Sequence, residues 1–245
     1  INQPTVEEAQ RLKREQDSLA ALVQQAKIDS ATVIAAQRAA LPDSVRRSED
    51  SLLAGSRFGM FAPLALGEEG VAVLENDKIQ IEISKKGGVP KKVWLKPYLR
   101  AKKEGAETQE PLVLFEGNDH RLNYSFVSAD GRQIRTDELY FTPSADQVIV
   151  NGDSAVLTMT AALNDRISIS QVYTLKKDGF MLDYHLVTKG FSVATAPSNR
   201  DIQVEWGLDF PLQEKSLENE RNMTTVYYQF KNGDHDNISE TKTEE

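Results

Sequence analysis

The chain has 245 residues, 40% of them hydrophobic, enough apolar material for one all-β domain or two small ones with a substantial core. Its 37 acidic and 29 basic residues leave a formal charge of -8, and no segregated basic patch offsets it, which argues against binding nucleic acid or an anionic bilayer surface. With no cysteine, disulfides, thiol nucleophiles and thiolate metal sites are excluded, and no window of about 18 apolar residues is present to span a membrane.

The chain opens on Ile1 rather than Met and closes in the charged run ETKTEE, so it is expected to be a segment of something longer. Thr5 followed by Glu8 has capping-box spacing, and no glycine or internal proline interrupts Thr5 to Ala40, so a long helix is expected there. Leu12, Leu19, Ala26 and Val33 recur every seven residues with Leu22 and Val23 beside them. That stripe is narrow, and it suits a solvated stalk at 1–41, with a coiled coil or docking helix formed through Leu12, Leu19 and Val33 as the alternative. Leu41-Pro42 ends the helix, because the residue before proline is pushed out of the α region. Glycine, serine and proline then mark 42–70 as a linker that lays Phe58, Phe61 and Leu64 on the following domain, 71–245.

From Val71 onward the hydrophobic period is two. In LENDKIQIEISKKGGVPKKVWLKPY, Ile79, Ile81 and Ile83 alternate with Gln80, Glu82 and Ser84, giving one apolar and one wet face. Gly87 and Gly88 then allow positive φ, and Pro90 keeps Val89 extended, so the chain reverses into Val93 to Leu95. Asn151-Gly152-Asp153 between QVIV and SAVLTMTA predicts a second hairpin, and KKDG at Lys176 to Gly179 a third. Ile202, Val204, Trp206 and Leu208 alternate in a further strand. Regular strands without intervening helices indicate an all-β antiparallel sandwich. Its expected core is Ile79, Ile81, Ile83, Val148, Val156, Ile167, Ile169, Tyr173, Leu182, Tyr184, Val204 and Trp206.

Chemistry-bearing residues are sparse. His185 shares a strand with Tyr184 and Leu186 and points to the opposite face, outward if they point inward. His120 in GNDHR and His235 in NGDHDN sit in polar runs, and Asp234 with Asp236 could attract a cation without supplying a calcium-loop pattern. Glu205 and Asp209 flank Trp206, an arrangement that sugar sites often use. No phosphate loop, nucleophile elbow or HExxH spacing occurs, and the glycosylation-like triplets at Asn222 and Asn237 receive no role.

FGMFAPLALGEEGVAVLENDKIQIEISKKGGVPKKVWLKPY, followed by EPLVLFEG, DELYFTP and QEKSLENERNMTTVYYQFKNGD, resembles the large periplasmic domain of the YidC/Oxa1/Alb3 membrane protein insertases in its Bacteroidetes form. The most specific block carries Gly87, Gly88, Trp94 and Tyr98, which mark a structural signature rather than an active site. The resemblance implies a β-supersandwich related to galactose mutarotase, placed in the periplasm of a bacterial inner-membrane protein. A transmembrane anchor would precede Ile1, and a last periplasmic segment and a five-helix membrane core would follow. It further implies a non-catalytic, cofactor-free scaffold that contacts the Sec translocon and nascent membrane proteins. The alternative is a carbohydrate-binding or aldose-epimerase-like module using Glu205, Trp206 and Asp209.

Overall fold

The computed structural model describes residues 13, 24–25, 32–33, 36, 40–100, 110–198, 200–209, 211–213 and 216–239. The chain divides into two compact units, Ile1–Leu53 and Ala54–Glu245. In the first, Lys13, Gln24, Gln25, Thr32, Val33 and Ala36 are helical, and Val33 is exposed. The capping pair Thr5 and Glu8 and the heptad residues Leu12, Leu19, Leu22, Val23 and Ala26 lie outside the described residues. Helical geometry is broken at Leu41-Pro42, and the Pro42 carbonyl accepts from the amides of Val45 and Arg46 at 3.0 and 3.1 Å. Among the described residues no helix is long and apolar enough to cross a membrane.

Within the segment expected as a linker, Asp43–Phe58 forms helix α1. Asp43 in its first turn and Arg57 in its last complement the helix dipole. Ala54 and Phe58, at helical spacing, are buried in the second unit. A 3-10 helix, Gly59–Ala65, follows and buries Phe61 edge-on against Phe126, ring centroids 5.3 Å apart. Leu64 is half-buried against the same core.

The second unit is built from strands. One sheet has the order β4-β3-β2-β1-β8, from β1 (Val71–Glu75), β2 (Ile79–Ser84), β3 (Pro90–Leu99), β4 (Pro111–Glu116) and β8 (Gln147–Ile149). Its neighbours are antiparallel except β1 and β8, which run parallel. A second sheet, β11-β10-β9-β7, comprises β7 (Thr142–Pro143), β9 (Ser154–Asn164), β10 (Ile167–Lys176) and β11 (Leu182–Lys189). The third, β12-β5-β6, joins β5 (His120–Val127), β6 (Gln133–Arg135) and β12 (Gln203–Leu208). A hairpin of β13 (Thr225–Gln229) and β14 (His235–Ser239) pairs with itself.

One core joins the first two sheets. Ala72, Leu74, Ile79, Ile81, Ile83 and Val93 pack with Leu157, Met159, Ala161, Ile169, Tyr173 and Leu175 in a single buried cluster. The alternation read in β2 is realised: all three isoleucines are buried. Val148, Ile167, Leu182 and Tyr184 are half-buried against that cluster.

Three expected core residues are not in it. Val156 is 49% exposed because Leu157, Met159 and Ala161 take the inward parity of β9; the run Ala155-Val156-Leu157 is apolar at both parities and does not decide the register. Val204 and Trp206 are 60% and 73% exposed, since among the described residues β12 pairs only with β5 and nothing covers that face. The Asn151-Gly152-Asp153 hairpin is also corrected. β8 pairs with β1 and β9 with β7 and β10, so the turn carries the chain from one sheet to the other. Gly152 does not adopt the positive φ that a tight two-residue hairpin turn would demand. The KKDG turn does join a hairpin, β10 to β11.

Two polar pins cross the sandwich. At one end of β2, Asn76 is buried, donates to the carbonyls of Lys176 and Gly179 at 2.7 and 2.8 Å, and accepts from the amides of Lys78 and Ile79 at 2.8 Å. At the other, the Gln171 side-chain amide donates to the Gly87 carbonyl at 2.6 Å and the Tyr173 hydroxyl to the Gly88 carbonyl at 2.7 Å. Tyr184 donates to Gln171 Oε1 at 3.1 Å; Tyr173 lies equally close to that oxygen, but its single proton serves one acceptor at a time. Burial pushes the phenols of Tyr173 and Tyr184 upward, so both remain donors at any physiological pH. His120 ties β5 to β3: its Nδ1 lies 3.0 Å from the Pro90 carbonyl, and its ring stacks on Phe115 with centroids 5.0 Å apart.

Gly88→Ala should cost about 2–4 kcal/mol in urea unfolding, because φ is +70° and the new Cβ would sit 2.5 Å from Gln171 Nε2 and 3.0 Å from the Phe141 ring. Gly131→Ala, at φ +79° but with nothing within 4 Å, should lose only about 1 kcal/mol. Equal losses would show that the close fit at Gly88 contributes nothing. Burial holds the imidazole of His120 below its ordinary value, so the unfolded chain takes up a proton first as pH falls. Stability contributed by neutral His120 is therefore complete above pH about 6.5 and lost below it. Urea midpoints between pH 8 and 5 should show a shallower acid decline in His120→Gln than in the parent.

Candidate functional site: a cleft between the double-glycine turn and strand β12

The turn that Gly87 and Gly88 make possible, with φ of 82° and 70°, also forms part of a cleft of ≈ 940 Å³. Gly87 lines it together with Lys86 and Lys91 beside the turn, Arg121 and Asn123 from β5, Arg135 and Asp137, and Val204 to Gly207 from β12. Strand parity assembles the floor. Arg121 and Asn123 share one face of β5 and stand opposite Gly207 and Glu205 across the pair. Gly207 has no Cβ, which would lie 3.2 Å from the Arg121 guanidinium; the arginine therefore lies across the strand.

Glu205, Asp137 and Asp209 are each held by an arginine. Glu205 Oε2 accepts from Asn123 Nδ2 at 3.1 Å and pairs with Arg135 Nη1 at 3.0 Å. Arg135 also grips Asp137 through two bonds of 3.2 and 2.9 Å, and this, ahead of Glu205, raises its pKa. Arg121 makes a second fork to Asp209 at 2.5 and 3.1 Å. Hydrogen bonding from Arg121 holds the Asp209 carboxyl below the usual carboxylate range. A general acid for sugar chemistry needs the opposite perturbation, a carboxyl kept protonated near neutral pH.

Of the three residues that suggested a sugar site, Glu205 and Trp206 line the cleft and Asp209 does not; it reaches the cleft only through its grip on Arg121. Of the four signature residues, Gly87 lines the cleft and Gly88 sits behind it in the pin to Tyr173. Trp94 and Tyr98 lie further along β3: the Lys92 ammonium rests 4.8 Å from the Trp94 ring, and Tyr98 tilts against Phe180 at 6.0 Å. Nothing in the sequence spacing marks Arg121, Asn123, Arg135 or Lys91: the register of β5 on β12 sets Arg121 and Asn123 opposite Gly207 and Glu205, β6 brings Arg135 to Glu205, and Lys91 lines the cleft from β3. His185 is exposed on β11, between half-buried Tyr184 and Leu186, as the parity of that strand requires. His235 is exposed in β14, and among the described residues no three His, Cys, Asp or Glu are grouped to hold a metal ion.

Comparison with known proteins agrees with the resemblance read from the sequence. The YidC periplasmic domain family matches residues 72–245. A membrane protein insertase YidC from Parabacteroides distasonis is 31% identical over 252 residues, covering all of this chain and 37% of that protein. The YidC of Bacteroides fragilis is 25% identical over 245 residues, again all of this chain and 36% of the relative, and that of Chlorobium luteolum 30% identical over 73% of the chain and 29% of the relative. The chain thus spans about a third of the length of the curated relatives it matches. The family match extends through the double-glycine turn, both packed sheets and the cleft, and the chain belongs to the YidC periplasmic domain family, the periplasmic part of the bacterial inner-membrane insertases.

Proposed function

We propose that this domain is a non-catalytic contact surface of a membrane protein insertase, working as a scaffold beside the Sec translocon and the nascent membrane proteins it handles. No cofactor enters this role. The observation that carries it is the state of the cleft: Glu205 and Asp209 are tied to Arg135 and Arg121, while Val204 and Trp206 stand open to solvent. An exposed tryptophan beside neutralised charges favours adhesion, since aromatic anchors dominate contact energies and both carboxylates are engaged by arginines. In this reading 1–41 form a juxtamembrane stalk, 42–70 connect it, and 71–245 form the sandwich that meets partners.

A second reading has its own support. Trp206 beside Glu205 and Arg121 offers the flat apolar face and charged hydrogen-bonding groups that hold a sugar ring, so the same cleft suits a carbohydrate-binding or epimerase-like module. Two measurements separate these readings. A photoreactive residue at position 206 of the full insertase should crosslink to translocon subunits or to a nascent membrane protein, while the same residue at His185, exposed on β11, should not. Calorimetry against hexoses and cell-wall glycans should show no specific heat; binding lost in Trp206→Ala would establish the sugar reading instead.

A further inference from the structure

Strand β12 lacks the features that keep sheet edges from pairing. Elsewhere the edges of the three sheets are blunted: β7 has two residues including Pro143, β6 and β8 have three each, and β4 begins at Pro111 and joins β3 through register shifts. The edge strand β11 presents Asp183, His185 and Lys189 outward, with Val187 among them. β12 is six residues long, with no proline or lysine, and bares Val204 and Trp206 on one face. Among the described residues it pairs only with β5, in unbroken register from Gln203 to Leu208, so alternate amides and carbonyls face away from the sheet. β13 also exposes apolar side chains, but it does not line the cleft.

The charge beside this edge is mixed, with one cation in excess. The chain carries a net -8, yet the cleft is lined by four cations, Lys86, Lys91, Arg121 and Arg135, against the three carboxylates of Glu69, Asp137 and Glu205. Three of those cations are paired with carboxylates; the Lys91 ammonium instead lies 3.5 Å from the Asn118 side-chain oxygen. Among the described residues Lys91 has no carboxylate partner, so an acidic side chain entering the cleft would meet its ammonium.

We infer that the outer edge of β12 accepts an extended peptide as an added strand, its alternate apolar side chains on Val204 and Trp206 and a carboxylate near Lys91. The inference rests on the contact-surface reading and names the partner: a segment of nascent chain held open in β conformation, with apolar residues at alternate positions and an acidic residue among them. Backbone hydrogen bonds would supply affinity without a fixed sequence, and the cleft would favour the acidic flank.

The test uses a fluorescent peptide of about eight residues, long enough to cover β12, alternating valine with threonine and ending in glutamate. Anisotropy with the full insertase should show saturable binding. Because only every second amide of an added strand faces β12, N-methylation of one alternate set should weaken binding by at least about tenfold and of the other set little. Trp206→Lys, at an exposed position, should weaken it about tenfold with an unchanged melting temperature, and Lys91→Glu should weaken the glutamate peptide but not its glutamine counterpart. Outward amides of β12 should exchange quickly in the free protein and slowly with peptide.

Equal binding by both N-methylated sets would overturn strand addition. So would slow exchange at those amides before peptide is added, which would place another part of the polypeptide, or a second copy detected by sedimentation, along the edge. Loss of peptide binding with crosslinks at position 206 intact would end this inference alone and leave the contact-surface reading standing. Loss of both would remove the two together.

Discussion

The contact between Gln171 and the carbonyl of Gly87, with Tyr173 on the carbonyl of Gly88, is the constraint on which the rest of the second unit depends. Two apolar sheets packed face to face can slide, because burial is insensitive to direction. A buried amide and phenol that must each find a carbonyl remove that freedom. Leaving any of them unpaired costs about 1–3 kcal/mol, so one relative placement of β10 and the β2–β3 turn is selected. Asn76 repeats the device at the other end of β2, where its side chain satisfies four hydrogen bonds. Glycine is needed at position 88 because any side chain would fill the space that Gln171 and Phe141 occupy.

That pin reaches the cleft. Gly87 presents its carbonyl to the core and lines the cleft with the rest of its surface, so the wall beside Lys86 and Lys91 is held by a buried hydrogen bond. The floor is held differently. Arg135 joins Asp137 to Glu205, and Asn123, itself buried, meets Glu205 on the neighbouring strand. These pairs are partly exposed and each contributes little to stability. Their effect is positional: they fix the polar floor and neutralise it, and the apolar side chains of β12 remain the most open part of the cleft.

How much of this was legible depended on whether the signal was local. The isoleucine alternation of β2, the double-glycine turn and the KKDG hairpin are properties of a few adjacent residues, and they are read directly from parity and from allowed φ. Asn151-Gly152-Asp153 announces a change of direction but not which strands pair afterwards, and here the chain crosses between sheets. Val156 failed because its neighbours are apolar at both parities. Helix α1 was hidden behind glycines and serines, since its burial of Phe58 is a tertiary effect that outweighs weak propensity. In the cleft, Trp206 and Glu205 drew attention by adjacency, but Arg121, Asn123 and Arg135 come to them from residues more than 60 positions away through strand pairing. No spacing rule on one sequence could supply that.

Val204 and Trp206 are the most instructive departure, because alternation alone placed them in the core. A period of two states only that one face of a strand differs from the other; it does not state that the apolar face is covered. Where β5 pairs on one side and no described residue lies on the other, the same pattern becomes an apolar ledge beside the cleft. Exposing about two large side chains costs a few kcal/mol of forgone burial, a sizeable fraction of the stability of an ordinary domain. A chain otherwise rich in surface charge would shed that cost by one substitution to lysine, as edge strands commonly do. The ledge adjoins a floor whose charges are already matched, so an apolar strand laid on it as proposed would desolvate neighbouring groups that keep their partners.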